Sequence, residues 1–351
     1  MRIAISTLPL TSAHKDRGIG TYTRELVESL KTYKTKHHFS FFTDPAEIPD
    51  DTDVVHYPFF DPFFLTLPSF HRKPTVVTVH DLIPLVFPEH FPRGIRGEVK
   101  WQVQKRKLLQ ATHLITDSYC SKKDIIRLAG IPADRITVVP LAPPATMTPL
   151  RDPVKLAETI DRYHLPHCFA MYVGDVNWNK NIQGLLSAWQ RVTSRRDLPA
   201  GAKLILVGKA FTEPDLLEAK EIEATIKKFR IEDSVIRVGF VPDEDLRALY
   251  MLSHVCVFPS LYEGFGLPVV EAFASGLPVI ASNTTSIPEV TGDAALLVDP
   301  LDIGAISTTM QQLIDGAPLR QRMKIAGWQR AREMTWAKCA KQTCSVYSSL
   351  C

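Results

Sequence analysis

Short runs of β-branched and aromatic residues alternate along the chain with longer stretches whose apolar side chains recur every three or four positions. RIAIS, FSFFT, VVHY, TVVTVH, HLITDS and ITVVPL read as strands, while TYTRELVESLKTY and GEVKWQVQKRKLLQ between them read as helices. This alternation predicts a parallel sheet. After a proline-rich stretch, PLAPPATMTPLRDP at residues 140–153, the same grammar restarts with FAMYVG and NIQGLLSAWQRV. It continues through KLILVG, SVIRVGF, DEDLRALYMLS, VCVFPS, PVVEAFAS and PVIAS. The expected fold class is therefore α/β, with two Rossmann-like domains hinged at the proline run and ligands bound in a cleft at the carboxyl ends of their strands. The expected boundaries are 1–148 and 149–335. The tail from about Asp302 reads as successive helices, and its last one, 336–351, is expected to complete the first domain.

Length agrees with two domains, since 351 residues exceed one typical core of about 150. The 41 Lys and Arg against 38 Asp and Glu leave a net charge of +3, too balanced for a protein whose task is gripping nucleic acid. No run approaches the roughly 18 uncharged apolar residues of a membrane-spanning helix. The six cysteines form no CxxC pair and cluster with no histidines at zinc spacing, so they read as reduced thiols. The start, MRIAISTLPL, reads as a first strand instead of a signal peptide, and the expected location is cytoplasmic.

The most informative segment is VCVFPSLYEGFGLPVVEAFASGLPVIAS, residues 255–282. It parses as a strand, a loop with two glycines, a helix opened by Pro268 and closed by Gly276, and another strand. Gly264 and Gly266 permit close backbone approach to a ligand, and the helix start beyond them suits an anion such as a phosphate. Glu263 in the loop and Glu271 about one turn into the helix place two carboxylates where they would accept hydrogen bonds from hydroxyls. Phosphate beside hydroxyls describes a sugar nucleotide. A helix-capping glycine loop with two solvated glutamates fits the same spacing.

This segment resembles the Glu-x7-Glu motif of family 4 of the retaining glycosyltransferases, which have the GT-B fold. The resemblance extends over nearly the whole chain. It includes DRGIGTYTRELVESL (16–30), VTVHDLIPLVFPEHF (77–91), MYVGDVNWNKNIQGLL (171–186), VGFVPDEDLRALY (238–250) and SIPEVTGDAALLVDPLD (286–302). It implies two facing Rossmann-like domains, a nucleotide diphosphate sugar held mainly by the second, and transfer with retained anomeric configuration to a glycan or lipid-linked acceptor held mainly by the first. It also implies a setting in polysaccharide biosynthesis, no cofactor beyond the sugar-nucleotide substrate, and no essential metal.

By the same resemblance Glu271 would bind the nucleotide ribose. Glu263 and the amides around Gly264, Phe265, Gly266 and Leu267 would bind the donor sugar. Gly174, which ends FAMYVG, joins this donor-binding set, and Lys180 beyond it matches the lysine that neutralises the diphosphate. Many relatives carry an arginine at one of the positions held here by Asp175 and Asn179, so the diphosphate would meet one cation fewer. His80, at the end of TVVTVH, matches a histidine that contacts the donor sugar, although a strand-end histidine is by itself more often structural. His80, Glu263 and Lys180 are the expected catalytic residues. Gly18 and Gly20, entering the first long helix, form a second candidate phosphate neighbour or an ordinary loop-to-helix junction. They lack the third glycine and downstream acid of a dinucleotide fingerprint.

Asp51-Thr52-Asp53 formally matches a manganese-binding Asp-x-Asp, but its setting reads as an acidic turn entering a strand, and no metal site is expected. The aromatic loop HYPFFDPFFLTLP (56–68) and the basic stretch PRGIRGEVKWQVQKRK (92–107), with Trp101 among its cations, are either core and solvated face or, together, a peripheral contact at the inner membrane face. No motif places an enzyme nucleophile, so front-face substitution and a covalent intermediate both fit. The rival readings are a GT-B epimerase or phosphorylase, and a sugar-nucleotide-binding subunit without catalysis.

Overall fold

The computed structural model describes every residue except 13, 14, 16, 17, 69–72, 151 and 351. The chain divides into two units, Met1–Pro144 with the chain from Met334 onward, and Ala145–Glu333.

The first unit is built on six strands, β1 (Arg2–Ser6), β2 (His38–Phe42), β3 (Val54–Tyr57), β4 (Thr75–Thr78), β5 (His113–Thr116) and β6 (Ile136–Val138). All pair in parallel, in the order β2-β1-β3-β4-β5-β6. Parallel strands need crossovers, and helices supply several of them, as Gly18–Thr32 does between β1 and β2 and Gly94–Gln110 between β4 and β5. That is why β3 and β4 are buried along their whole length, their polar residues His56, Thr75 and Thr78 included, whereas the edge strand β2 keeps exposed positions. The second unit repeats the plan with β7 (Phe169–Val173), β8 (Lys203–Val207), β9 (Val235–Val238), β10 (Val255–Phe258), β11 (Val279–Ser282) and β12 (Leu296–Val298). Its order is β12-β11-β10-β7-β8-β9, again all parallel. The last of these strands, three residues long and half exposed, carries too weak a pattern to be read from sequence. Consecutive crossovers run one way from β7 and the other way from β10, so these two neighbouring strands flank the topological switch point. In open parallel sheets ligands bind at that point.

The final helix, Trp336–Ser348, belongs to the first unit and lies against the helix Gly18–Thr32. Thr335 caps its start by accepting from Lys338 N at 3.2 Å, and Trp336 Nε1 donates to Pro143 O at 2.9 Å. Its inward face carries Cys339, Ala340, Thr343, Cys344 and Tyr347. Tyr347 Oη meets His56 Nδ1 at 2.7 Å, and His56 Nε2 meets Thr78 Oγ1 at 2.8 Å, a hydrogen-bonded chain running from the helix into the centre of the sheet.

Candidate functional site

Strand β7 ends at Val173, and Gly174 follows with φ +150°. A Cβ there would sit 2.8 Å from Tyr172 Oη, so only glycine lets the chain leave the strand. The loop runs through the short turn Trp178–Lys180 into the helix Ile182–Thr193. Two asparagines hold it against the loop beyond β10. The buried Asn179 donates from Nδ2 to Tyr262 O at 2.9 Å and accepts from Leu261 N on its own carbonyl at 2.7 Å. Asn181 caps the helix through Gly184 N and donates to Pro259 O at 3.1 Å and Pro300 O at 2.8 Å. Lys180 lies between these two asparagines, and its Nζ reaches both oxygens of Glu263, at 2.7 and 2.9 Å. The ammonium also stands 5.9 Å from the centre of the Phe258 ring.

Glu263 is 6% exposed. Its backbone N–H donates to Thr285 Oγ1 at 3.1 Å, and Ser286 Oγ donates toward the carbonyls of Glu263, at 2.9 Å, and Phe265, at 3.2 Å. The loop from Gly264 to Gly266 is therefore tethered on its carbonyl side. Gly266, with φ +104°, precedes the helix Leu267–Ser275, whose first turn holds Pro268 and whose end is capped by the left-handed Gly276. A side chain at Gly266 would strike Ile287 Cδ1 at 2.7 Å. Glu271 is partly buried on this helix and accepts from Tyr250 Oη at 3.0 Å. Burial pushes its carboxyl up to about 7 despite that hydrogen bond.

In the first unit His80 follows β4, and its Nδ1 lies 2.7 Å from Oδ2 of the buried Asp117, which follows β5. Burial alone would lower the imidazole pKa, but the Asp117 carboxylate overrides it and raises the value above that of free histidine. Tyr22 meets the ring edge-on, with centroids 4.6 Å apart. Tyr22 lies one turn into the helix that Gly18 opens and in which Gly20 is buried, so the three expected first-unit residues share one neighbourhood. Asp16 and Arg17, which precede them in DRGIG, lie outside the described residues.

The second unit thus gathers Gly174, Lys180, Glu263, Gly264, Phe265, Gly266, Leu267 and Glu271 beyond the carboxyl ends of β7 and β10. The picture of two solvated glutamates is corrected: one is ion-paired and the other is hydrogen-bonded and partly buried. The expectation about Asn179 changes as well, because this side chain is an inward-turned staple between loops. Trp101 is not part of a surface; it is 5% exposed and packs in the core. The Asp51 and Asp53 carboxylates both engage Arg2, one through its guanidinium and the other through its backbone N–H at 2.7 Å, and so hold the start of β1. Asp117, Tyr250, Thr285 and Ser286 escaped sequence reading, since each acts on a partner at least 20 residues away and none belongs to a recognisable spacing.

Two six-stranded parallel sheets with flanking helices and a helical tail define a GT-B glycosyltransferase architecture. Residues 37–142 match the family described as Glycosyltransferase Family 4, and residues 167–330 match Glycosyl transferases group 1. The chain is 36% identical over 284 residues to the O-antigen chain mannosyltransferase B of Escherichia coli, covering 80% of this chain and 72% of that protein. It is 28% identical over 268 residues to the Serotype-specific mannosyltransferase WbdA of Escherichia coli, covering 76% of this chain but only 32% of that longer protein. Among solved structures, Anabaena HepE in complex with UDP and glucose superimposes with a TM-score of 0.74 at 19% identity, over 99% of this chain and 100% of the other. The chain belongs to glycosyltransferase family 4, and it is a glycosyltransferase.

Proposed function

We propose that this enzyme transfers a hexose, mannose first among candidates, from a nucleotide diphosphate sugar to a glycan or lipid-linked acceptor, with retained configuration and without a bound metal. The observation that carries this reading is the convergence of Lys180, Glu263, the Gly264–Leu267 loop and Glu271 at the switch point between β7 and β10. The mannosyltransferase relatives and the UDP and glucose named with HepE support the donor class. O-antigen assembly by the first relative supports a polysaccharide setting.

In this reading the diphosphate lies by the start of the helix Leu267–Ser275, where backbone N–H groups and the helix dipole favour an anion. Lys180 has three N–H donors. Two face Glu263, and the third serves the leaving diphosphate as its bond to the sugar breaks. The lysine cation thereby does what a metal does in other transferases. Glu263, held in place by Lys180, receives hydroxyls of the donor sugar, and Glu271 receives those of the ribose. His80, whose Nδ1 is tied to Asp117, is assigned to the donor sugar by the family resemblance alone. With no arginine at either Asp175 or Asn179, Lys180 takes the larger share of the leaving-group charge.

A panel of nucleotide sugars screened by thermal shift names the donor, because a ligand that binds the native state raises stability by mass action. Nuclear magnetic resonance of the product then reports its anomeric configuration. Turnover unaffected by a chelator supports the metal-free reading. An inverted product, or loss of turnover on chelation that manganese restores, overturns the corresponding part of it. Release of an epimerised or phosphorylated sugar with no glycoside formed overturns transfer itself.

A further inference from the structure

Among the described residues, four other than glycine hold a left-handed backbone: His164, Asn181, Arg230 and Thr285. His164 and Arg230 end helices, and Asn181 caps the start of one. Thr285, with φ +57°, is the β-branched member and ends no helix; it lies in the turn between β11 and the short helix Ile287–Thr291. With two heavy atoms on its Cβ, threonine tolerates this conformation less well than asparagine or glycine does. A strained residue persists only where the surrounding structure holds it, and such residues cluster at functional sites.

What holds Thr285 is the loop that carries Glu263. Thr284 Oγ1 donates to Leu261 O at 3.4 Å, and Thr285 Oγ1 accepts from Glu263 N at 3.1 Å. The fully buried Ser286 places its Oγ 2.9 Å from Glu263 O and 3.2 Å from Phe265 O. Three consecutive hydroxyls thus grip the backbone of residues 261–265, and two of them take both backbone polar groups of Glu263 itself. The carboxylate of Glu263 is meanwhile held by Lys180. Glycine would adopt the backbone of Thr285 freely, but it would leave the Glu263 N–H without this acceptor. The hydroxyl is what the strained residue supplies. It fixes the peptide from which the Glu263 side chain departs, and hence where the carboxylate stands.

We propose that Thr285 is a positioning residue for the donor sugar: its strained turn sets the Glu263 carboxylate against the sugar hydroxyls and takes no part in holding the nucleotide. This deepens the transfer reading and rests on its assignment of Glu263 to the donor sugar.

Three variants separate the hydroxyl from the backbone. Thr285→Ser keeps the acceptor, Thr285→Val keeps the β-branch without it, and Thr285→Gly removes both hydroxyl and strain. Melting temperature should follow the backbone, with the glycine and serine variants above the valine variant. Chemistry should follow the hydroxyl. With GDP-mannose and UDP-glucose as probes, kcat/KM for donor consumption should fall at least about tenfold in the glycine and valine variants and stay near wild type in the serine variant. GDP and UDP, which carry no sugar, should bind all four proteins alike in calorimetry. Hydrogen exchange of the segment 261–266, read without ligand, should accelerate in the glycine and valine variants and not in the serine variant. Turnover that tracks melting temperature, a serine variant as impaired as the valine one, diphosphate affinities that fall in step with turnover, or unchanged exchange in the valine variant would overturn the proposal. Failure of the transfer reading looks different: wild type itself then consumes neither nucleotide sugar, and the sugar role of Thr285 falls with it even where the exchange result holds.

Discussion

Lys180 and Glu263 lie 83 residues apart in sequence, yet the lysine Nζ sits 2.7 and 2.9 Å from the two carboxylate oxygens of the glutamate. Both side chains are largely buried, 18% and 7% exposed. Each therefore has a partner when no ligand is bound, and the pair forms part of the fold as well as part of the site.

This dual role can be separated. Lys180→Met alone leaves Glu263 buried without its cation, which should cost about 3 kcal/mol of stability. Adding Glu263→Gln should recover most of that loss, because no buried charge is then left unpaired. Donor turnover should stay abolished in both variants. Urea denaturation and donor-consumption assays check the two halves, and recovery of turnover in the double variant would remove the pair from the chemistry.

Glu271 should make stability depend on pH. Its folded pKa of about 7 lies above the ordinary 4.5, so the folded state holds its proton more tightly and stability falls as pH rises through that window. Glu271→Gln should flatten this slope and make the unliganded protein more stable than wild type above pH 7, by roughly 1–3 kcal/mol. Nucleotide binding should show the opposite trend. If the ionised carboxylate accepts from ribose hydroxyls, affinity strengthens as pH rises toward 7 and binding releases a proton. Calorimetry in two buffers of different ionisation enthalpy measures that proton directly.

Asp117 should act through His80. Asp117→Asn keeps the shape but removes the charge that raises the imidazole pKa, so the His80 titration should move to lower pH, as followed by nitrogen-resolved resonance of the ring. With an identified donor, kcat should fall by about tenfold to a hundredfold while KM changes little, since the loss is in orientation of the ring. An unchanged His80 titration would show that the carboxylate does not govern the ring.

The closing helix should be the acid-sensitive element of the first unit. Burial holds His56 down to about 3, against 6.5 when free, so it is neutral in the fold. A depressed histidine pKa contributes stability that is present above pH 6.5 and lost as pH falls toward 3. Hydrogen exchange along Trp336–Ser348 should accelerate across that range. Tyr347→Phe, which removes the hydroxyl bonded to His56, should destabilise the protein by about 1–2 kcal/mol at neutral pH.

Much of this molecule follows from local sequence. The twofold strand and helix grammar dictates two parallel sheets, because buried parallel strands are predominantly apolar and are joined by crossovers, most of them helical. Gly266, Pro268 and Gly276 similarly dictate where the helix carrying Glu271 starts and stops, since each meets a backbone requirement at its own position. Tertiary structure alone decided the partners: Lys180 with Glu263, Glu271 with Tyr250, His80 with Asp117, and His56 with Tyr347 of the last helix. It also decided that Trp101 turns inward while Ile95 and Val99 on the same helix turn out. The physical reason is one of range. Periodicity and turn chemistry act over a few residues, whereas the strand order that sets β7 beside β10, and β4 beside β5, brings together side chains that carry no mark of each other in the sequence.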